Sequence, residues 1–195
     1  MTEGDPGATA PYTDAARARL VMAYEACELA ERARAAVPIG EHELKPDGTV
    51  RSPGAVLGDA ARVLAAAQRF FEAAAVYERM GGTDWQLIGD VLEVSPQAAR
   101  VRFAMAEADF REGLLAPEGT GSGEGLPASE GTGSAAAVGE ANWLRAYMAR
   151  EPLEAALDLD DWVLRHEDSD SGPGAAPVSG GLVRKDPGDR TRRQS

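Results

Sequence analysis

Residues 83–103 read TDWQLIGDVLEVSPQAARVRF. Thr83 is placed to cap a helix, and Trp85, Ile88 and Leu92 then recur at three- and four-residue spacing, which puts them on the inner face of a short helix. Gly89 is small where a second helix must cross closely, and Val94 is apolar in the turn. Ser95 is a helix-capping residue followed by Pro96, whose missing N–H costs nothing at a first helical position. Ala99 and Phe103 point inward, four residues apart. Two short helices joined by a tight turn, with a small residue at the crossing, predict a helix-turn-helix at 83–103.

The pattern Trp85-x-x-Ile88-Gly89-x-x-Leu92-x-Val94-Ser95-x-Gln97-Ala98-Ala99-x-x-Arg102-Phe103 resembles the helix-turn-helix of bacterial proteins related to region 4 of sigma factors. Many small regulators of high-GC bacteria carry that motif after a long Ala-rich helix, here residues 55–80. The resemblance implies double-stranded DNA as the partner and a second helix that enters the major groove. The positions it assigns to DNA are Ser95, Gln97, Ala98, Arg100, Val101 and Arg102, with Pro96 at the helix start. Gln97 can bond adenine bidentately, Ala98 or Val101 can meet a thymine methyl, and Ser95, Arg100 and Arg102 can reach phosphate. Two positions depart from the family. Glu93 stands where the family usually has Gly, at a cost of roughly 1 kcal/mol if the residue is left-handed. Pro96 stands where a basic residue is usual.

The motif closes a predicted helical domain over 13–114. Thr13 or Asp14 can cap a first helix, whose apolar stripe is Leu20, Ala23, Tyr24, Cys27 and Ala30; Glu25, Glu28, Glu31, Arg32 and Arg34 cover the rest. Pro38 and Gly40 stop it near Val37. Pro46-Asp47-Gly48 is a turn signal, and residues 38–54 form either a small hairpin or an irregular loop. From 55 to 80, Val56, Leu57, Val63, Leu64, Ala67, Phe70, Phe71, Ala74 and Tyr77 keep helical spacing, with Phe70 and Phe71 as central core residues. Gly81-Gly82 ends that helix.

Most of the 22 Gly and 12 Pro collect at the start of the chain and in 38–58, 113–139 and 172–188, between Ala-rich blocks. This partitioning predicts an all-α body with appendages. Residues 1–12 and 167–195 read as disordered. Residues 115–137 read as a Gly-rich linker, with Glu-Gly-Thr-Gly-Ser at 118–122 and again at 130–134. Residues 138–166 read as an acidic amphipathic helical segment. Trp143, Leu144, Tyr147 and Met148 form one apolar patch, and Leu153, Ala156, Leu157, Trp162, Val163 and Leu164 a second. Pro152 can start a helix, and Glu151, Glu154, Asp158, Asp160 and Asp161 make the polar face. The segment either packs back on the domain or presents Trp143, Leu144, Tyr147, Leu157 and Trp162 to a protein partner or a second copy.

Charge opposes simple DNA binding. The chain carries −12, and residues 83–112 hold three arginines against six carboxylates. Phosphate backbones attract Lys and Arg. Two functions therefore stay open: a DNA-binding transcriptional regulator, or an acidic helical adaptor whose helix-turn-helix is structural. His42, His166 and the single Cys27 are scattered without ligand spacing or a base beside a nucleophile, so neither metal, cofactor nor enzymatic activity is expected. One cysteine, no signal peptide and no spanning apolar run make a cytoplasmic protein the expectation.

Overall fold

A computed structural model of the chain describes residues 12–37, 39–115, 147–148, 151–166, 174 and 176–182. Among them there are five helices and no strand: α1 (Asp14–Ala35), α2 (Ala55–Met80), α3 (Trp85–Val91), α4 (Pro96–Leu115) and α5 (Pro152–His166), with single 3-10 turns at Glu41–Glu43 and Ser179–Gly181. The all-α expectation therefore holds for the described residues. Residues 1–11, the linker from 116 onward, Trp143 and Leu144 lie outside them. The chain divides into two compact units. One spans 21–106, and the other comprises the described residues of 1–20 and 107–195.

In the first unit, α1 and α2 are tied by a buried ion pair. Glu25 is 1 % exposed and accepts from Arg69 Nε at 3.0 Å. This corrects the expectation that Glu25 lies on the polar side of α1. Arg69 on α2 supplies a charged partner, and a carboxylate with such a partner is tolerated where an unpaired one is not. The buried line of α1 runs through Ala16, Arg17, Leu20, Val21 and Glu25, while Ala23, Tyr24, Cys27 and Ala30 are half-buried. Burial, with Glu31 and Glu28 adding, pushes the Cys27 thiol up to about 11, so it stays protonated and inert near neutrality.

Between α1 and α2 the small hairpin is the reading observed. Leu44 and Val50 form an antiparallel bridge, and Lys45 N donates to Thr49 O at 2.8 Å. Asp47 Oδ1 accepts from Thr49 N and Oγ1, which holds its carboxyl below the ordinary range. Gly48 takes a φ of 79°, the left-handed turn position that Gly tolerates.

The predicted stripe of α2 is only partly the buried one. Val56, Leu57 and Leu64 are exposed, whereas Ala66, Ala73, Ala75 and Val76 are buried. The helix meets its neighbours through small residues, which allow close approach, so its bulkiest aliphatic side chains near the start are left outside. Phe70 is half-buried, and Phe71 packs edge-on against Phe103 with centroids 5.2 Å apart.

The second unit contains the start of α1, the end of α4 and α5. Thr13 Oγ1 accepts from Ala16 N at 3.1 Å, the expected cap of α1. Pro152 begins α5, also as expected. The buried side of α5 is Pro152, Ala155, Ala156, Leu159 and Asp160, while Leu153, Leu157 and Leu164 are exposed. Asp160 was expected on the acidic outer face. It is buried because the chain returns over it: its carboxylate accepts from Val178 N at 2.6 Å, from Ser179 N at 3.1 Å and from the Ser179 hydroxyl. The expectation of disorder over 167–195 is thus overturned for residues 176–182. The expectation for 1–12 is overturned at Tyr12, which is buried.

Candidate functional site

The stretch 83–103 forms two helices separated by residues 92–95. Asp84, not Thr83, caps α3: its side chain accepts from Leu87 N at 2.9 Å. Thr83 is drawn backward instead, its N–H to Glu78 O and its hydroxyl to Glu78 Oε2, where it helps close α2. Sequence spacing could not separate two adjacent capping residues. Ser95 behaves as expected, accepting from Ala98 N at 3.1 Å, and Pro96 is the first residue of α4.

The turn between these helices is close and strained. A Cβ on Gly89 would stand 2.8 Å from Val94 O and 3.1 Å from Pro96 N, so the approach requires glycine. Val94 N donates to Gly89 O at 2.9 Å. Glu93 adopts a φ of 56°, the left-handed conformation that its place in the pattern suggested. Among the described residues no other non-glycine has a positive φ.

Beneath the turn lies one apolar cluster. Ile88, Ala75, Ala99 and Phe103 are buried, the last two at 0 % exposure, and Phe71, Trp85 and Leu92 pack against them. The inner-face residues read from the sequence are therefore the ones that hold α3 to α4 and α2. Arg79 lies over the Trp85 ring at 4.5 Å and closes the edge of this cluster.

Sealing the inner face leaves the outer side of α4 uncovered. Ser95, Gln97, Ala98, Arg100, Val101 and Arg102 are all exposed. They do not form one surface. Gln97 and Val101 are four residues apart on a common face, and Met105 continues that row; Val101 and Met105 are each 72 % exposed. Arg100 flanks the row and pairs with no carboxylate among the described residues. Arg102 is directed elsewhere: its guanidinium lies 4.8 Å from the Phe71 centroid and 5.4 Å from that of Phe103. It serves the rim of the core as a cation over aromatic rings. Glu107 pairs with Arg111 at 2.6 Å.

Met105 was missed by the sequence reading. The signal was the four-residue spacing of Gln97, Val101 and Met105, which carries the exposed row a turn beyond the motif. On α3, Leu87 and Val91 are also exposed, and Asp90 accepts from Gln86 Nε2 at 2.8 Å. The outer surface of this region is thus more apolar and less basic than groove-reading chemistry usually requires. The described residues contain no group of His, Cys, Asp and Glu able to hold a metal ion. No helix among them is long and apolar enough to cross a membrane.

No protein-family model matches the chain, and no curated protein or solved structure matches it significantly.

Proposed function

We propose that this protein is a DNA-binding transcriptional regulator in which residues 83–103 act as a helix-turn-helix and α4 enters the major groove. One observation carries the reading. The first two turns of α4 expose Gln97, Ala98, Arg100 and Val101, while Ala99 and Phe103 anchor the opposite side completely. In the groove, Gln97 bonds adenine and the Ala98 and Val101 side chains meet thymine methyls. Arg100 and the N-terminus of α4 at Ser95 take phosphate oxygens. The site is accordingly A·T-containing. One domain binds weakly, because only a few contacts oppose an acidic surround.

Binding of the full chain to a genomic-fragment library, sequenced after selection, tests this reading. The expected result is an enriched A·T-containing motif that disappears in the Gln97→Ala, Arg100→Ala double variant. With two or three phosphate contacts per domain, log affinity should fall with log salt at a slope of about −2 to −3. No enriched motif in the unaltered protein ends the proposal.

The exposure of Val101 and Met105, together with the engagement of Arg102 by Phe71 and Phe103, favours a second reading. In it the protein is an acidic helical adaptor and α4 meets another protein. Its mark is a salt-insensitive complex lost in Val101→Asp but retained in Arg100→Ala.

A further inference from the structure

Residues 177–179 are gripped from two sides. Asp160 accepts from two successive backbone N–H groups and the Ser179 hydroxyl, while Arg19 Nη1 and Nη2 donate to Val178 O at 3.0 Å and Pro177 O at 3.3 Å. The Arg19 guanidinium occupies the space that a Cβ on Gly181 would take. Val178 is buried. The chain is therefore fixed on the third turn of α5. Leu182 is only three residues beyond Ser179, so the segment from residue 183 onward begins within roughly 10 to 15 Å of this clamp.

The outer side of α5 is a double stripe. Leu153, Leu157 and Leu164 share one exposed row, and Glu154, Asp158 and Asp161 run beside it, with Glu151 just ahead of the helix. Glu154 accepts from Tyr147 Oη at 3.1 Å. No cation pairs with Glu151, Asp158 or Asp161 among the described residues. Arg165 adds one positive charge at the far end, its Nε bound to Asp161 O.

Residues 183–195 are VRKDPGDRTRRQS, with Arg184, Lys185, Arg190, Arg192 and Arg193 against Asp186 and Asp189. Thirteen residues can span roughly 40 Å, and α5, at 15 residues, is about 22 Å long. We propose that the basic segment 183–195 docks along the acidic, leucine-bearing face of α5, delivered there by the clamp on residues 177–179. The chemistry of the two surfaces matches in both parts. Arginine lays its aliphatic stem on apolar surface while its head reaches a carboxylate, which is what alternating leucines and acids offer. Tethering at Ser179 sets the effective concentration in the millimolar range, so individually weak exposed pairs hold the segment in place. The contact is electrostatic and opens with salt. It also gives the five cations an internal partner that a polyanion must displace.

The test uses the full chain in a Cys27→Ser background, with a paramagnetic label on Ser195→Cys and ¹⁵N in the backbone. At about 20 mM salt, where screening is weak, the Leu153, Glu154, Leu157, Asp158 and Asp161 amide signals should fall at least about twofold in intensity, recovering above roughly 0.5 M. A Glu154→Lys, Asp158→Lys, Asp161→Lys variant should abolish the effect. Should that variant not fold, Asp158→Asn with Asp161→Asn should weaken it. Unchanged Val178 and Ser179 amide shifts report that the clamp is intact in each case. Undiminished α5 signals at low salt overturn the proposal and leave this face to a basic partner protein. A mixture of labelled ¹⁴N chain with unlabelled ¹⁵N chain should show no loss; if it does, the occupant is a second copy and the docking in cis is wrong.

Discussion

Gly89 and Glu93 show how much the junction of α3 and α4 rests on single residues. A methyl group at position 89 would meet backbone atoms of Val94 and Pro96, which cannot swing aside as a side-chain tip can. Gly89→Ala should therefore destabilise the protein by about 1–3 kcal/mol in urea unfolding, although alanine favours helix. An unchanged midpoint would show that the turn can open at no cost. Glu93 is the opposite case, a side chain where glycine fits better. Glu93→Gly should stabilise by about 1 kcal/mol by relieving a φ of 56°; a lower midpoint would mean the carboxylate makes a compensating contact. Arg17 is buried, and its Nε and Nη2 have no hydrogen-bond partner among the described residues. Burying two guanidinium nitrogens without a partner is costly, so Arg17→Met should raise stability, by about 1–3 kcal/mol. A fall in the midpoint would overturn that account.

Helix α4 has two faces with opposite duties. Its inner face ends in Phe103, which is fully buried and meets Phe71 at an interplanar angle of 80°. Such an edge-to-face pair adds about 0.5–1.5 kcal/mol to the burial itself. Phe103→Ala should cost about 3–5 kcal/mol and loosen α3 along with α4, because Ile88 and Trp85 share the cluster. The readout is a thermal melt combined with amide exchange over 85–91; fast exchange confined to α4 would contradict the shared core. Removing Phe103 also takes away one of the two rings beneath Arg102, which is why that arginine belongs with the core rim and not with Gln97 and Val101.

For the molecule as a whole, Asp160 is the clearest link between stability and pH. Burial alone would raise its carboxyl, but hydrogen bonds from Ser179 and from the Val178 N–H, with Arg19 nearby, outweigh it and hold the carboxyl below its ordinary 3.8. These bonds favour the ionised form in the folded chain. Their contribution is therefore complete above the unfolded value and is lost as pH falls through the lowered one. The clamp on 177–179 should stay shut at neutral pH and release only below about 4, seen as faster exchange of the Val178 and Ser179 amides. Asp160→Asn should remove that pH dependence and leave the clamp at neutral pH as weak as that of the native chain in acid. Release already at pH 6 would mean that the carboxylate is not what holds the segment.

Local spacing and side-chain chemistry were enough to read the helices, a start at Thr13 or Asp14 and others at Ser95–Pro96 and Pro152, and the inner residues Ile88, Ala99 and Phe103. Each of these depends on neighbours within about five positions, where backbone geometry leaves few alternatives. Glu25 and Asp160 were misplaced because their partners, Arg69 and residues 178–179, lie 44 and 18 or 19 positions away. A buried carboxylate looks identical in sequence to a solvated one until the group that satisfies it is brought alongside. The same holds for Leu57 and Leu64: helical periodicity marks an apolar row, but packing between helices chose the alanines and left those leucines in water.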